Sequence, residues 1–309
     1  DPAAPGWVAA YPSDAATPTV STVNFHAAGE VVSNLALVRL GPDGTIRIRN
    51  GSPGTVHLVA DVAGWFAAGQ VSEAGMTATV TPTRIVDTRA AGGTLAPDST
   101  RTLLVAGANQ VPAQVAAVVV NVTVTDSTAD GYLAASADGS SRVSTLNFTP
   151  GHPAANAAIV PVAPDGTIAV RHASPGTSHL VVDLIGYVTA GQATKPGSYL
   201  ALSPRRVFDS RDRGQIPPGG EVNVPPAAAT LPAGASNVVV TVIGPQAAGY
   251  LSAYPTGATA TTSSIANFVP GQVAGHCATV AVGGGGFTIV NASSGRTDIA
   301  VDLFGYYLT

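Results

Sequence analysis

Apolar and polar positions alternate in short runs along nearly the whole chain, and the runs recur in sets. The clearest is Val118-Val119-Val120-Asn121-Val122-Thr123-Val124-Thr125, rich in β-branched residues and alternating over its second half, the pattern of a strand with one buried face. No stretch sustains an apolar period of 3.6, so helices are expected to be short or absent. In the same copy the runs predict strands at 85–89, 102–106, 117–125, 131–135, 144–149, 157–163, 167–171 and 179–187. The turn-rich Asp126-Ser127-Thr128-Ala129-Asp130 predicts a hairpin between the third and fourth of these. Asp165-Gly166 predicts another, because Asp-Gly tolerates positive φ at both turn positions. In the last strand, alternation puts Leu180, Val182 and Leu184 on the core face and Asp183, with His179, on the other.

This set occurs three times. The middle copy runs from Gly131-Tyr132-Leu133 through Leu146-Asn147-Phe148 and Asp165-Gly166-Thr167 to Asp183-Leu184-Ile185-Gly186-Tyr187. The first copy has Gly6-Trp7-Val8, Val23-Asn24-Phe25, Asp43-Gly44-Thr45 and Asp61-Val62-Ala63-Gly64-Trp65; the third has Gly249-Tyr250-Leu251, Ala266-Asn267-Phe268 and Asp302-Leu303-Phe304-Gly305-Tyr306. A shorter signature precedes only the second and third: Pro82-Thr83-Arg84-Ile85-Val86-Asp87-Thr88-Arg89 and Pro204-Arg205-Arg206-Val207-Phe208-Asp209-Ser210-Arg211. Repeats this long indicate serial copies of one unit, not a solenoid. Polar connectors, Ala67-Ala68-Gly69-Gln70 and the stretch 190–197, mark the boundaries. They give a partial unit at 1–70 and complete units at 76–190 and 197–309. Eight short strands per complete unit predict an all-β chain of tandem β-sandwich modules, jelly-roll or Greek-key in kind, with a closed barrel as the alternative. The first unit lacks the counterpart of 76–130, so its sheet is expected to have an open apolar edge.

Composition narrows the partners. A net charge of −4 without a basic stripe argues against nucleic acid. The longest apolar runs, such as Val115 to Val120, are too short for helical membrane insertion. Charged residues are only 10% of the chain and hydrophobic ones 45%, which argues against disorder. A single lysine, Lys195, and abundant alanine suggest a GC-rich bacterial origin. Cys277 stands alone in an apolar run, so no intrachain disulfide forms and a buried, inert thiol is expected. No signal peptide is present, and Asp1-Pro2-Ala3-Ala4-Pro5 reads as a mature or proteolysed start.

The short signature is the foremost candidate for chemistry. In a regular strand Ile85, Asp87 and Arg89 share one face, and Arg84, Val86 and Thr88 the other; the equivalent trio is Val207, Asp209 and Arg211. The closing strand offers partners at one repeat position, Asp61, Asp183 and Asp302. A structural network of Arg84, Asp87, Arg89, Arg206, Asp209 and Arg211 with those three aspartates, fixing register by bidentate bonds, is one reading, and ligand recognition by the same arginines the other. The Asp43 and Asp165 turns invite a calcium reading, but the third copy substitutes Gly283-Gly284-Gly285-Gly286, so a turn is the better account. Of the six histidines, His26, His57, His152, His172, His179 and His276, no pair has zinc-site spacing. No Gly-x-Ser-x-Gly elbow or phosphate loop occurs, and no catalytic residue, cofactor or metal is expected. Trp7, Tyr132 and Tyr250 are equivalent, as are Trp65, Tyr187 and Tyr306; they are candidates for a sugar-stacking platform or for plugs at the ends of a core. Four Asn-x-Ser/Thr sequons begin at Asn50, Asn121, Asn147 and Asn291, and are idle if the origin is bacterial.

Pro-Thr-Arg-Ile-Val-Asp-Thr-Arg, Val-Asn-Val-Thr-Val-Thr, Gly-Tyr-Leu, Leu-Asn-Phe, Asp-Gly-Thr and Val-Asp-Leu-Ile-Gly-Tyr together resemble a repeat of secreted actinobacterial and related bacterial proteins. The match covers nearly the whole chain and is best for residues 80–188; the third copy departs at Pro204-Arg205-Arg206 and at its glycine turn. The resemblance implies an all-β accessory module, often attached to hydrolases or surface proteins, and no settled activity. Together these readings predict a secreted or cell-surface, non-catalytic bacterial protein for extracellular binding, adhesion or structural spacing. Its expected partner is a surface glycan or another subunit. The alternatives are a carbohydrate-binding module or lectin, and a self-assembling fibre subunit that forms homo-oligomers through the open edge of the first unit.

Overall fold

A computed structural model of the protein describes residues 2–67, 69, 72–226 and 234–309. Asp1 and, in the first connector, Ala68 and Gln70 lie outside the described residues. The first copy forms β1 (Gly6–Pro12), β2 (Val23–Phe25) and β3 (Ile46–Asn50). The second forms β4 (Thr77–Asp87), β5 (Thr100–Leu104), β6 (Val115–Thr125), β7 (Gly131–Ser136), β8 (Leu146–Phe148), β9 (Ala154–Pro161), β10 (Thr167–Ala173) and β11 (His179–Thr189). The third forms β12 (Tyr199–Asp209), β13 (Glu221–Val224), β14 (Gly234–Ile243), β15 (Gly249–Pro255), β16 (Ala266–Phe268), β17 (Val273–Val282), β18 (Phe287–Ser293) and β19 (Asp298–Tyr307). A 3-10 turn, Ser210–Asp212, follows β12. The strands lie close to those expected, except that β4 starts at Thr77 instead of residue 85.

The expected arrangement, tandem β-sandwich modules, is corrected. The chain forms a five-bladed, propeller-like set of small antiparallel sheets, in the orders β2-β1-β3, β5-β10-β7-β8, β4-β11-β6-β9, β12-β19-β14-β17 and β13-β18-β15-β16. The two expected hairpins are absent because consecutive strands change sheet: β6 and β7 belong to different sheets, as do β9 and β10. The turn at Asp165-Gly166 therefore carries the chain between sheets. Only its glycine takes positive φ (83°), while Asp165 accepts from the backbone N–H and hydroxyl of Thr167.

The copies are not separate beads either. The largest apolar cluster joins β6 and β11 (Val120, Val122, Val182, Leu184) to β7 and β10 (Leu133, Ile168, Val170). Its counterpart in the third copy joins Val240, Val301 and Leu303 to Leu251 and Ile289. Two smaller clusters cross between copies: Leu37 with Val119, Ile159 and Tyr199, and Leu35 with Ala157, Val239, Cys277 and Phe304. Sheet faces that tandem modules would turn to solvent are thus buried by neighbours. Burial raises the Cys277 thiol to about 11, in keeping with an inert core cysteine.

Polar groups close these junctions in a cycle. Asn34 accepts from the N–H of Ala157 (3.0 Å) and donates to Asn121 Oδ1 (2.9 Å), tying the first copy to the second. Asn156 accepts from the N–H of Cys277 (2.9 Å), tying the second to the third. His276 returns to the first copy through Ser33 Oγ (Nδ1 to Oγ 3.4 Å). Asn34, Asn156 and His276 follow the repeated Asn-Phe dipeptides at Asn24, Asn147 and Asn267 by nearly the same interval. Burying a polar group without a partner is expensive, so these bonds also specify which copy meets which.

Candidate interaction site in the first copy

The Arg–Asp signature builds the same cluster twice. Arg84 donates from Nε to Asp183 Oδ1 (2.8 Å) and from Nη2 to Oδ2 (3.1 Å), with Nη1 3.5 Å from Asp87 Oδ2. Asp87 in turn accepts from Arg89 Nε (2.9 Å) and Nη2 (2.6 Å). In the third copy Arg206 holds Asp302 (2.6 and 3.2 Å) and Asp209 (2.7 Å), and Asp209 holds Arg211 (2.9 and 2.6 Å). Strict alternation would have separated Arg84 from Asp87. A bulge joins them: Val182 pairs with Val86 and Asp183 with Arg84, which skips Ile85, and Val207 is skipped in the same way.

Electrostatics divide the carboxylates into two kinds. Hydrogen bonds from Arg89 and Arg211 hold Asp87 and Asp209 down at about 2. Burial pushes Asp183 and Asp302 upward despite their arginines. These two side chains are 1% and 0% exposed. Asp183 lies against the first copy, where the backbone of Ser21 also bonds to it. The second and third copies thus use the signature to hold the closing strand, β11 or β19, to its neighbour.

The first copy has the closing strand's sequence without that neighbour. Residues 57–66 occupy the repeat positions of β11 and β19 but form no ladder, and among the described residues no backbone hydrogen bond involves them. Leu180, Val181 and Leu184 are buried in the second copy; their counterparts Leu58, Val59 and Val62 are exposed, Val59 to 85% and Val62 to 87%. Trp65 is 83% exposed, and Phe66 is also exposed. Ile46 and Ile48 on β3 are exposed as well, whereas Ile168 and Val170 at the same positions of β10 are buried. Among the described residues strand β3 pairs only with β1. Strand β10 pairs on both edges, with β7 and with β5. Asp61 is exposed, and among the described residues no arginine pairs with it. Large contiguous apolar patches on a folded surface mark places where something else binds.

The repeated glycine gives an independent sign of what is missing. A Cβ on Gly186 would overlap the carbonyl oxygen of Ala78 on β4, and one on Gly305 the carbonyl of Leu200 and the ring of Tyr199 on β12. Glycine is needed there for the neighbouring strand to approach. At Gly64 an added Cβ would meet nothing within 4 Å.

The remaining sequence candidates do not converge on a site. The six aromatics stay apart: Arg49 covers Trp7, Arg171 donates to the Tyr132 hydroxyl, and among the described residues no ring contact joins any two of Trp7, Tyr132, Tyr250, Trp65, Tyr187 and Tyr306. His26 and His152, unrelated in the sequence, meet at 3.9 Å between ring centres, while His179 Nδ1 sits 3.0 Å from Thr88 Oγ1. Among the described residues no group of three His, Cys, Asp or Glu side chains is placed to hold a metal, and no helix is long and apolar enough to cross a membrane. A cavity of about 20 Å³ at the seam of the first and second copies, lined by Leu35, Asn121 and Asp183 among others, is the size of one water.

No protein-family model matches the chain, and no curated protein does. Among solved structures, the crystal structure of PBSX exported protein XepA is similar at 11% identity and a TM-score of 0.21, over 76% of this chain and 89% of that one. Likeness at that level carries no argument about fold or function.

Proposed function

We propose that this chain is a non-catalytic protein of assembly, secreted or displayed at the cell surface, that works by protein contact through its first copy in binding, adhesion or structural spacing. One observation carries the reading: side chains buried at the closing-strand positions of the second and third copies are bare at the same positions of the first. Exposed apolar side chains beside an unpaired strand edge favour association with another chain. The cyclic junctions and the Arg–Asp clusters serve as a stiff frame that presents this face. The resemblance to repeats of secreted bacterial proteins supports an extracellular setting.

Light scattering after size exclusion, across a concentration series, tests the reading. The mass is expected to rise above 30.6 kDa with concentration, and the double variant Val62→Asp/Trp65→Ser is expected to hold it at the monomer value. Both side chains are exposed, so the variant keeps its fold. A monomer at every concentration, unchanged by the variant, would contradict the proposal.

A further inference from the structure

We infer that the third copy carries a binding site for a small sugar acid, in an open groove of about 310 Å³ between β12, β13 and the turn that joins them. The groove belongs to the third copy alone and owes nothing to the assembly reading. Its walls are Phe208 of β12, Val222 and Asn223 of β13, and Arg213, Gln215 and Ile216 of the turn.

The second copy shows the same place filled. Register makes Arg101 the counterpart of Val222: Arg101 pairs with Val170 of β10, and Val222 with Ile289 of β18. Arg101 reaches across the turn, its Nη1 3.3 Å from the carbonyl oxygen of Gly92, and its guanidinium lies where a Cβ on Gly92 would point. Valine is too short to do this. At Gly214, in the matching turn, an added Cβ would meet nothing within 4 Å. The third copy has a hollow where the second has a plug.

A different arginine lines the hollow. Arg213 stands at the position of Ala91, its guanidinium carbon over the Phe208 ring, 5.2 Å from the centre. A guanidinium held over an aromatic face keeps its N–H edge free, and that edge meets a planar carboxylate with two parallel bonds. Among the described residues no carboxylate lines the groove or pairs with Arg213, so its charge is open to a ligand. Gln215 and Asn223 are exposed beside it; side-chain amides both donate and accept, which matches the two-way bonding of hydroxyls. Thr256 Oγ1 donates to Asn223 Oδ1 (2.7 Å), fixing that amide with its NH2 group turned to other partners. Val222 adds half-buried apolar surface. The volume falls at the lower end of small-molecule pockets, about 300 Å³, which suits a single sugar ring and not a folded partner.

The probes are D-glucuronate and D-galacturonate, titrated into the full chain and followed by amide proton–nitrogen correlation spectra. Saturable shifts confined to the turn and to β12 and β13 are expected with at least one of them, including the side-chain amides of Gln215 and Asn223. D-Glucose, which lacks the carboxylate, and acetate, which lacks the ring, are each expected to bind at least tenfold more weakly. Arg213→Gln should weaken binding of the sugar acid tenfold or more and leave the unfolding midpoint unchanged, since Arg213 is exposed. Val222→Arg, which restores the plug of the second copy, should abolish binding; if that variant does not fold, Arg213→Gln decides alone. Acetate or glucose binding as tightly as the sugar acid overturns the inference. So do saturable shifts elsewhere only, affinity indifferent to Arg213, and no binding of either probe.

Discussion

Arg84→Ala is expected to destabilise the chain by about 3–5 kcal/mol at neutral pH, the range for leaving a buried charge without its partner. Asp183 is 1% exposed, and in the variant it loses both donors that reach its two oxygens. The guanidinium itself is 26% exposed, so water entering the vacated space places the loss toward the lower end of that range. The discriminating variant is the double one. Arg84→Ala/Asp183→Asn removes the stranded charge and is expected to recover at least about 1 kcal/mol of the single variant's loss. Arg84→Lys keeps the charge without the two-pronged fit and should fall between wild type and Arg84→Ala. The pH dependence has a definite sign. A carboxyl whose folded pKa lies above its unfolded value weakens the fold as pH rises through the folded value, and Asp183 is already raised by burial. The variant's deficit should therefore shrink as pH falls from neutrality toward the ordinary carboxylate range. That window lies above the one in which Asp87, held at about 2 against an ordinary 3.8, gives up its own contribution. Urea unfolding midpoints at several pH values measure all of this. Equal losses in the single and double variants would show that packing, not charge, sets the cost.

His276 governs a second pH window. Burial lowers it from 6.5 to about 4, outweighing hydrogen bonds with the backbones of Ser33 and Asn267, and its Nδ1 lies 3.4 Å from Ser33 Oγ. The unfolded chain takes up the proton first, so stability is fully present above pH 6.5 and drains away as pH falls to 4. The difference corresponds to roughly 3 kcal/mol across the window. His276→Asn installs the residue found at the same position of the other copies, Asn34 and Asn156. It should leave stability at pH 7 within about 1 kcal/mol of wild type and flatten the loss between pH 6.5 and 4. An unchanged slope would assign that acid sensitivity to other groups. The site matters because it closes the cycle of junctions, and the third copy alone puts a titratable side chain there.

Strand positions were legible in the sequence because alternation is local: Val122, Val124, Leu180 and Val182 announce their faces without knowledge of their neighbours. Which strands pair was not legible. The turns at Asp126–Asp130 and Asp165-Gly166 read as hairpins, and nothing in their residues says that they cross between sheets. That misreading, with the assumption of self-contained units, led to tandem β-sandwiches where the chain makes five small sheets. The Arg–Asp cluster was half legible. Equivalence of Asp61, Asp183 and Asp302 identified the acceptors, but the bulges that skip Ile85 and Val207 invert the faces on which the arginines were expected. The shared junction role of Asn34, Asn156 and His276 was not legible in residue type alone, although their similar offset from the Asn-Phe dipeptides is a signal available to counting. The open face of the first copy was foreseeable because absence of a repeat segment needs no geometry. Gly64 is its sharpest trace, a glycine at the repeat position of Gly186 and Gly305 where an added Cβ meets nothing within 4 Å.

The central claim is that one strand sequence is closed in two copies and open in the first. Amide hydrogen exchange under native conditions tests it directly. Residues 57–66 should exchange at nearly unprotected rates, while β11 and β19, with ladder partners on both edges, exchange slower by orders of magnitude. Protection of 57–66 equal to that of β11 in the isolated monomer would contradict the account, since the face would then already be covered.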